Sequence, residues 1–387
     1  MPPAVWILAL STFAFGSGAL IFTGLLEQLA SDLGVSTAAA GQLQTAYVLT
    51  SALSGPPLAF LSARLERRSV LMGALVGAIV LNLLCMASQS LASLLILRCI
   101  LGATAALAGP AAASAAGALA PPERRGAAMA LVGGGMTLAF LMGIPLGTVV
   151  GSAFGWRAAF ALSAGLAALA LAGIALALPR VPAGPAPTGA RASPLALAPL
   201  YAATFLSFAG NMTITTYIAP ILRLQTGVTG SGVALFQMMV GLGSLCGLNL
   251  GARAADSRRG RLGVALAFMG LALAALMHLT ELVGGAPAGW PTYVVVAATL
   301  FLGSTALFSI MPVVQSRLVA AAPAAAAFAL SINQSGASLG QASGGALGGL
   351  LLGLFDARAL PVAAAAIALA AGLIWLRFSG PASRQGA

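Results

Sequence analysis

Arg98 stands several residues inside an apolar run that begins at Leu91, and a charge at that depth is costly enough that it normally faces a cavity or a partner. Two readings follow. The guanidinium could organise polar groups around a cavity, attracting an anionic ligand group or influencing proton movement, or it could snorkel toward the nearer end of the run. Four rows of neutral polar side chains offer further chemistry. Thr204, Ser207, Asn211 and Thr215 recur every three or four residues, as do Ser331, Gln334, Ser338 and Gln341 with Asn333 beside them. That spacing places each row on one helical face. Gln237, Gly241 and Ser244 form a shorter row, and Gln42, Thr45 and Tyr47 a looser cluster. Amides and hydroxyls surrounded by apolar sequence must find partners, so these faces point into a bundle interior. There they either bond between helices or bind a neutral polar or weakly anionic solute.

The elements that carry them are set by composition. The chain has 387 residues, 60% hydrophobic and 6% charged, whereas a soluble domain carries about a quarter charged residues. A hydrocarbon core about 30 Å thick takes about 20 apolar residues per helix. Apolar runs bounded by Arg, Pro and Gly lie near 5–26, 40–61, 69–89, 91–119, 127–151, 157–178, 196–222, 230–252, 262–282, 291–314, 323–350 and 359–378. Twelve spans are therefore expected, in an all-α membrane protein. The first run is too long for a signal peptide and has no basic segment ahead of it, so it is read as the first span. Cys85, Cys99 and Cys246 lie in apolar runs without CxxC spacing, which predicts packing roles and neither disulfide nor metal. A net charge of +11 would suggest nucleic acid in a soluble protein; here the charges sit in short connections, and no nucleic-acid partner is expected.

Those charges orient the chain. The even-to-odd connections and the C-terminal tail hold Arg64, Arg67, Arg68, Arg124, Arg125, Arg180, Arg191, Arg253, Arg258, Arg259, Arg261, Arg317, Arg377 and Arg384, against Arg157, Arg223 and Arg358 on the other side. This bias predicts that both termini are cytoplasmic. The connection from Pro179 to Pro194 is rich in Pro and Gly and falls near the midpoint. It predicts an N-terminal bundle of six spans over 1–178, a cytoplasmic linker over 179–194 and a C-terminal bundle over 195–387. The halves echo each other: Ser62–Arg68 follows the second span, and Ala255–Arg261 follows the eighth, 193 positions later.

Four segments resemble the major facilitator superfamily, within it the drug:proton antiporter or arabinose-efflux-permease-like branch, over essentially the whole chain. They are Gly24–Ser36 with Gly41-Gln42, the basic loop with Arg64, Arg67 and Arg68, Arg98-Cys99-Ile100-Leu101-Gly102, and Gly143-Ile144-Pro145-Leu146-Gly147 through Gly155-Trp156-Arg157. The resemblance implies two pseudo-symmetric six-helix bundles, a central cavity and alternating access. It implies a secondary transporter exporting a small organic solute across a bacterial-type inner membrane, with protons as the coupled ion, rather than an enzyme. No cofactor or metal is expected, and a monomer in the bilayer is. The alternative is an importer or facilitator without proton coupling. Cavity candidates are Arg98, Gln42, Thr45, Asn211, Thr215, Gln237, Asn333, Gln334 and Ser338. Gating candidates are Arg64, Arg67, Arg68, Gly143, Pro145, Gly147 and Asp256, the glycines and proline as packing or bending points. Trp156 and Arg157 are expected to anchor at the interface.

The chain departs from the antiporter pattern in one respect. None of its seven Asp and Glu residues falls well inside a span, and the first run reads Gly16-Ser17-Gly18-Ala19-Leu20 where many antiporters of this branch carry an acid. Ala63 also stands where the basic loop of the family usually has aspartate, although Asp256 occupies the matching place in the second half. The lone histidine, His278, lies near the outer end of the ninth span and is expected to be interfacial.

Overall fold

The computed structural model describes residues 2–62, 64–121, 124–182, 197–255, 260–283, 289–322 and 326–378. Among them the chain is helical, with no strand. The first span is α1 (Pro3–Leu20), a short 3-10 turn at Thr23–Leu25 and α2 (Leu26–Leu33). Next come α3 (Thr37–Ser62), α4 (Arg67–Ala87) and α5 (Leu91–Leu119). The fifth span is α6 (Arg125–Leu138), a π-helical turn over Ala139–Gly143 and α7 (Ile144–Phe154), and α8 (Trp156–Ala177) follows. The second half holds α9 (Ala198–Thr215), α10 (Ile218–Thr226), α11 (Gly232–Ala255), α12 (Gly260–Val283), α13 (Trp290–Ala321), α14 (Ala326–Leu354) and α15 (Ala359–Phe378).

Proline and glycine explain the interruptions. Pro145 lacks the N–H that would bond the carbonyl of Leu141, and its ring crowds that carbonyl; the wide π turn just before it relieves the conflict. Pro220, three residues into α10, does the same to the carbonyl of Thr216, so the seventh run breaks there into two helices. Gly155 joins α7 to α8 at φ 88°, a backbone conformation that disfavours any side chain.

Nine helices among the described residues are long and apolar enough to cross a membrane, and a tenth if α9 and α10 count as one broken span. α3 and α14 are long enough, at 26 and 29 residues, but are more polar. They are the second and eleventh runs, which carry Gln42 and Thr45 in one and Asn333, Gln334 and Ser338 in the other. The outward surface is apolar, with Leu176 88% and Phe154 79% exposed, as hydrocarbon requires.

Two compact units are distinguished: Met1–Thr188 with Thr216–Gly241, and Gly189–Thr215 with Leu242–Ala387. The expected linker falls largely at residues 183–196, outside the described residues. In the first unit α1 packs against α5, α6 and α8, and α3 and α4 against α5. In the second α9 packs against α14 and α15, and α12 against α13 and α15. Small residues make these approaches close. On the fifth span, Gly143, Gly147 and Gly151 sit one turn apart and abut Ser17, Ile21 and Leu25 of the first. On α14, Gly340 and Gly344 abut the backbone of Phe205 and Ala209 on α9. A side chain at these positions would hold the helices apart.

Candidate functional site

In the first unit the chemistry gathers where α1 ends. The last four carbonyls of a helix have no partner within it, and α1 stops at Leu20 inside the apolar region. Arg98 of α5 supplies donors: its Nη1 donates to the Gly18 carbonyl at 2.8 Å and its Nη2 to the Ala19 carbonyl at 2.5 Å. The guanidinium carbon lies 4.8 Å from the Phe22 ring centre and 4.3 Å from that of Tyr47, within cation–π range. Arg98 is 0% exposed, so it neither snorkels nor lies open to a solute; it caps a broken helix, where a cation at the C-terminal end is favoured. The void beside it, between Gly18, Tyr47, Asn82 and Ser163, offers about 10 Å³, room for a single water at most.

Two expected cavity residues have side-chain partners in this unit. Gln237 accepts a hydrogen bond from the Thr148 hydroxyl at 2.7 Å, and Gly24 abuts both side chains. Gln42 donates to the Tyr217 hydroxyl at 3.3 Å, with Gly41 against the same ring. Thr45 keeps a buried hydroxyl with no partner among the described residues. The loop-facing ends are tied by ions: Arg223 pairs with Glu27 at 3.1 Å. Asp32 receives both the Trp156 indole N–H at 2.9 Å and Arg157 at 2.5 Å. Trp156 is 2% exposed and stands edge-on to Phe160, so it fastens the end of the first span to the sixth instead of anchoring in lipid. Thr148→Val should cost about 1–3 kcal/mol, since it strands a buried amide oxygen while keeping the volume. Thr148→Ser should restore most of that, and equal thermal midpoints for the two variants would remove the bond from the account.

In the second unit α9, α12, α13 and α15 enclose a cavity with about 40 Å³ of water-accessible space. Ser207, Asn211 and Thr215 of α9, His278 of α12 and Thr299 and Ser304 of α13 supply its polar lining. His278 is 3% exposed, which corrects the interfacial reading. A signal was present in the sequence: Leu271, Ala274, Ala275 and His278 follow helical spacing on one face, and all four line the cavity. On α14 Asn333 is buried, with its amide oxygen lacking a partner among the described residues. Ser331 and Gln334 are exposed, and Ser338 and Gln341 half-buried. Such a face would leave amides unsatisfied against lipid tails.

The basic loops do the same work in each half. The Arg68 guanidinium donates to the Ala175 carbonyl in the last turn of α8 at 2.7 Å, and Arg261, 193 positions later in the sequence, donates to the Leu376 carbonyl in the last turn of α15. Each satisfies an orphan carbonyl at a helix C-terminus. Arg67 donates its backbone N–H to Val181 and its guanidinium to the Ser62 carbonyl, while Arg64 is exposed. Asp256 lies outside the described residues. Gly143 and Gly147 are buried against the first span, and Pro145 between them is buried. Sequence reasoning missed Thr148 and Tyr217, whose partners are 89 and 175 residues away, and Asp32, which sits in a recognised segment without a role of its own.

Comparison with known proteins gives a consistent picture. The Major Facilitator Superfamily profile matches residues 8–324. The chain is 28% identical over 385 residues to the MFS-type transporter YfhI of Bacillus subtilis (strain 168), covering 97% of this chain and 93% of the relative. It is 27% identical over 396 residues to a chloramphenicol resistance protein of Streptomyces lividans, covering 97% and 95%. Among solved structures, it resembles a bacterial homologue of the human lysosomal transporter Spinster with a TM-score of 0.77 at 16% identity, over 97% of this chain and 96% of that one.

Proposed function

The chain belongs to the major facilitator superfamily, and on that premise we propose that it exports a small neutral polar or weakly anionic organic solute across the inner membrane, by alternating access and in exchange for protons. One observation carries the choice of solute. The polar face of α14 presents Ser331, Gln334, Ser338 and Gln341, donors and acceptors without charge. A cationic solute would find no carboxylate there, whereas hydroxyls and carbonyls of a neutral solute would be matched. Export is supported by the Gly143–Gly151 stripe, which resembles that of antiporters, and by the likeness to a chloramphenicol resistance protein. Both termini are proposed to be cytoplasmic, on the arginine bias.

Proteoliposomes loaded with a panel of neutral and anionic solutes, chloramphenicol among them, test this with and without an imposed pH gradient. A member of the panel should move against its gradient when protons run the other way. Gln334→Ala should then raise the apparent KM about tenfold, the worth of one hydrogen bond, with an unchanged thermal midpoint because the side chain is exposed. Preference for lipophilic cations would overturn the solute class. The lack of an acid well inside any span favours a second reading, a facilitator without proton coupling, and solute movement indifferent to the pH gradient would establish it.

A further inference from the structure

A chain that exchanges protons needs a group inside the membrane that can take one up, and none of its acids falls well inside a span. We propose that His278 is this group, a proton site in a small hydrated pocket of the second unit that acts on the end of α9. The inference rests on the proton-exchange reading above.

Three features of the pocket support it. His278 is the single histidine of the chain, and imidazole is the side chain whose unperturbed charge change lies nearest neutral pH. The cavity of about 40 Å³ admits a few waters, so a proton can arrive. The walls suit a cation: the Ser207 hydroxyl donates to the Thr204 carbonyl at 2.8 Å and that of Thr299 to the Val295 carbonyl at 2.7 Å. A hydroxyl whose hydrogen is committed to the backbone offers only lone pairs. Acceptors therefore line the pocket on α9 and α13.

The charge has something to act on. Asn211, Ile214 and Thr215 line the pocket and form the last turns of α9, which ends at Thr215. Carbonyls at a helix C-terminus attract a cation within reach. A protonated His278 stabilises that end as α9 now stands, and a neutral one releases the attraction, so a proton biases the break in the seventh span. No other lining residue titrates. Of the charged or titratable groups on the elements packed around it, Arg261, Arg317 and Arg377 belong to the far ends of α12, α13 and α15, Arg261 being 17 positions from His278 or about 26 Å along the helix. Tyr201 is similarly remote on α9. Glu281, Tyr293, Asp356 and Arg358 belong to the same end as His278, and none of them lines the pocket.

The lone histidine makes the test direct. With isotope-labelled histidine and a tag free of it, the protein in nanodiscs gives one imidazole signal. That signal should titrate as the pH is lowered, and the protection of amides over residues 211–218, taken as the exchange rate relative to the intrinsic rate at each pH, should rise at the acidic end. In His278→Gln that protection should lose its pH dependence, and solute movement driven by a pH gradient should fall about tenfold. An imidazole signal that stays fixed, or a pH-dependent protection that survives in His278→Gln, overturns the site without any reliance on the variant's activity. Gradient-driven transport in the native protein that persists in His278→Gln removes the site and leaves the proton-exchange reading standing. A titrating imidazole that changes protection, in a protein whose transport ignores the gradient, removes that reading and keeps the site.

Discussion

Arg98→Ala should destabilise the folded chain by about 2–6 kcal/mol, at about 1–3 kcal/mol for each of two buried carbonyls left without a donor, and should abolish transport. Burying the guanidinium is itself expensive, and the net worth of such a group against an apolar replacement is small. The loss arises because α1 ends at Leu20 with its Gly18 and Ala19 carbonyls aimed at Arg98. Arg98→Met restores volume but no donor and should resemble the alanine variant. Arg98→Lys carries the charge without the planar fork that reaches two carbonyls and stacks between Phe22 and Tyr47, so it should fall between. Thermal denaturation of the purified variants reads the series. A methionine variant as stable as the native protein would show that the carbonyls do not need the donor. A lysine variant with native stability but weakened binding of anionic solutes only would return Arg98 to the ligand.

How much of this was legible depends on how far apart the interacting residues are in the chain. The spans could be read because hydropathy is a local property, and the basic loops because two segments 193 positions apart repeat their arginines. Arg68 and Arg261 show the repeat again in what they cap. The depth of Arg98 marked it as a residue with a partner, but not which one, since the break in α1 depends on how the first span meets its neighbours. Gln42 and Gln237 were drawn toward a cavity because an amide in an apolar run needs a partner. That Tyr217 and Thr148 provide it follows only from the packing of distant segments. His278 was misjudged by its position along the span, although Ala274 and Ala275 one turn before it and Leu271 two turns before it marked its face as an inner one.

Gly102 tests whether the arginine works alone or with its own helix. It lies one turn beyond Arg98 on α5, and an added Cβ would strike the backbone carbonyl of Tyr47, the residue whose ring lies against the guanidinium. Alanine in place of glycine favours a helix by about 1 kcal/mol, while overpacking costs about 1–3 kcal/mol. Where the obstacle is backbone, no rotamer relieves it, so the cost sits at the upper end and Gly102→Ala should destabilise. Gly73 on α4, where a Cβ would meet nothing within 4 Å, isolates the propensity term, and Gly73→Ala should be neutral or stabilising. Pushing α5 from α3 also draws the guanidinium away from Gly18 and Ala19, so part of what Arg98→Ala loses is already lost in Gly102→Ala. The double variant should therefore be less destabilised than the sum of the two, by 0.5 kcal/mol or more on the order expected for contacting residues. Strict additivity would mean that glycine only lets helices approach and that Arg98 reaches α1 regardless of how α5 is docked.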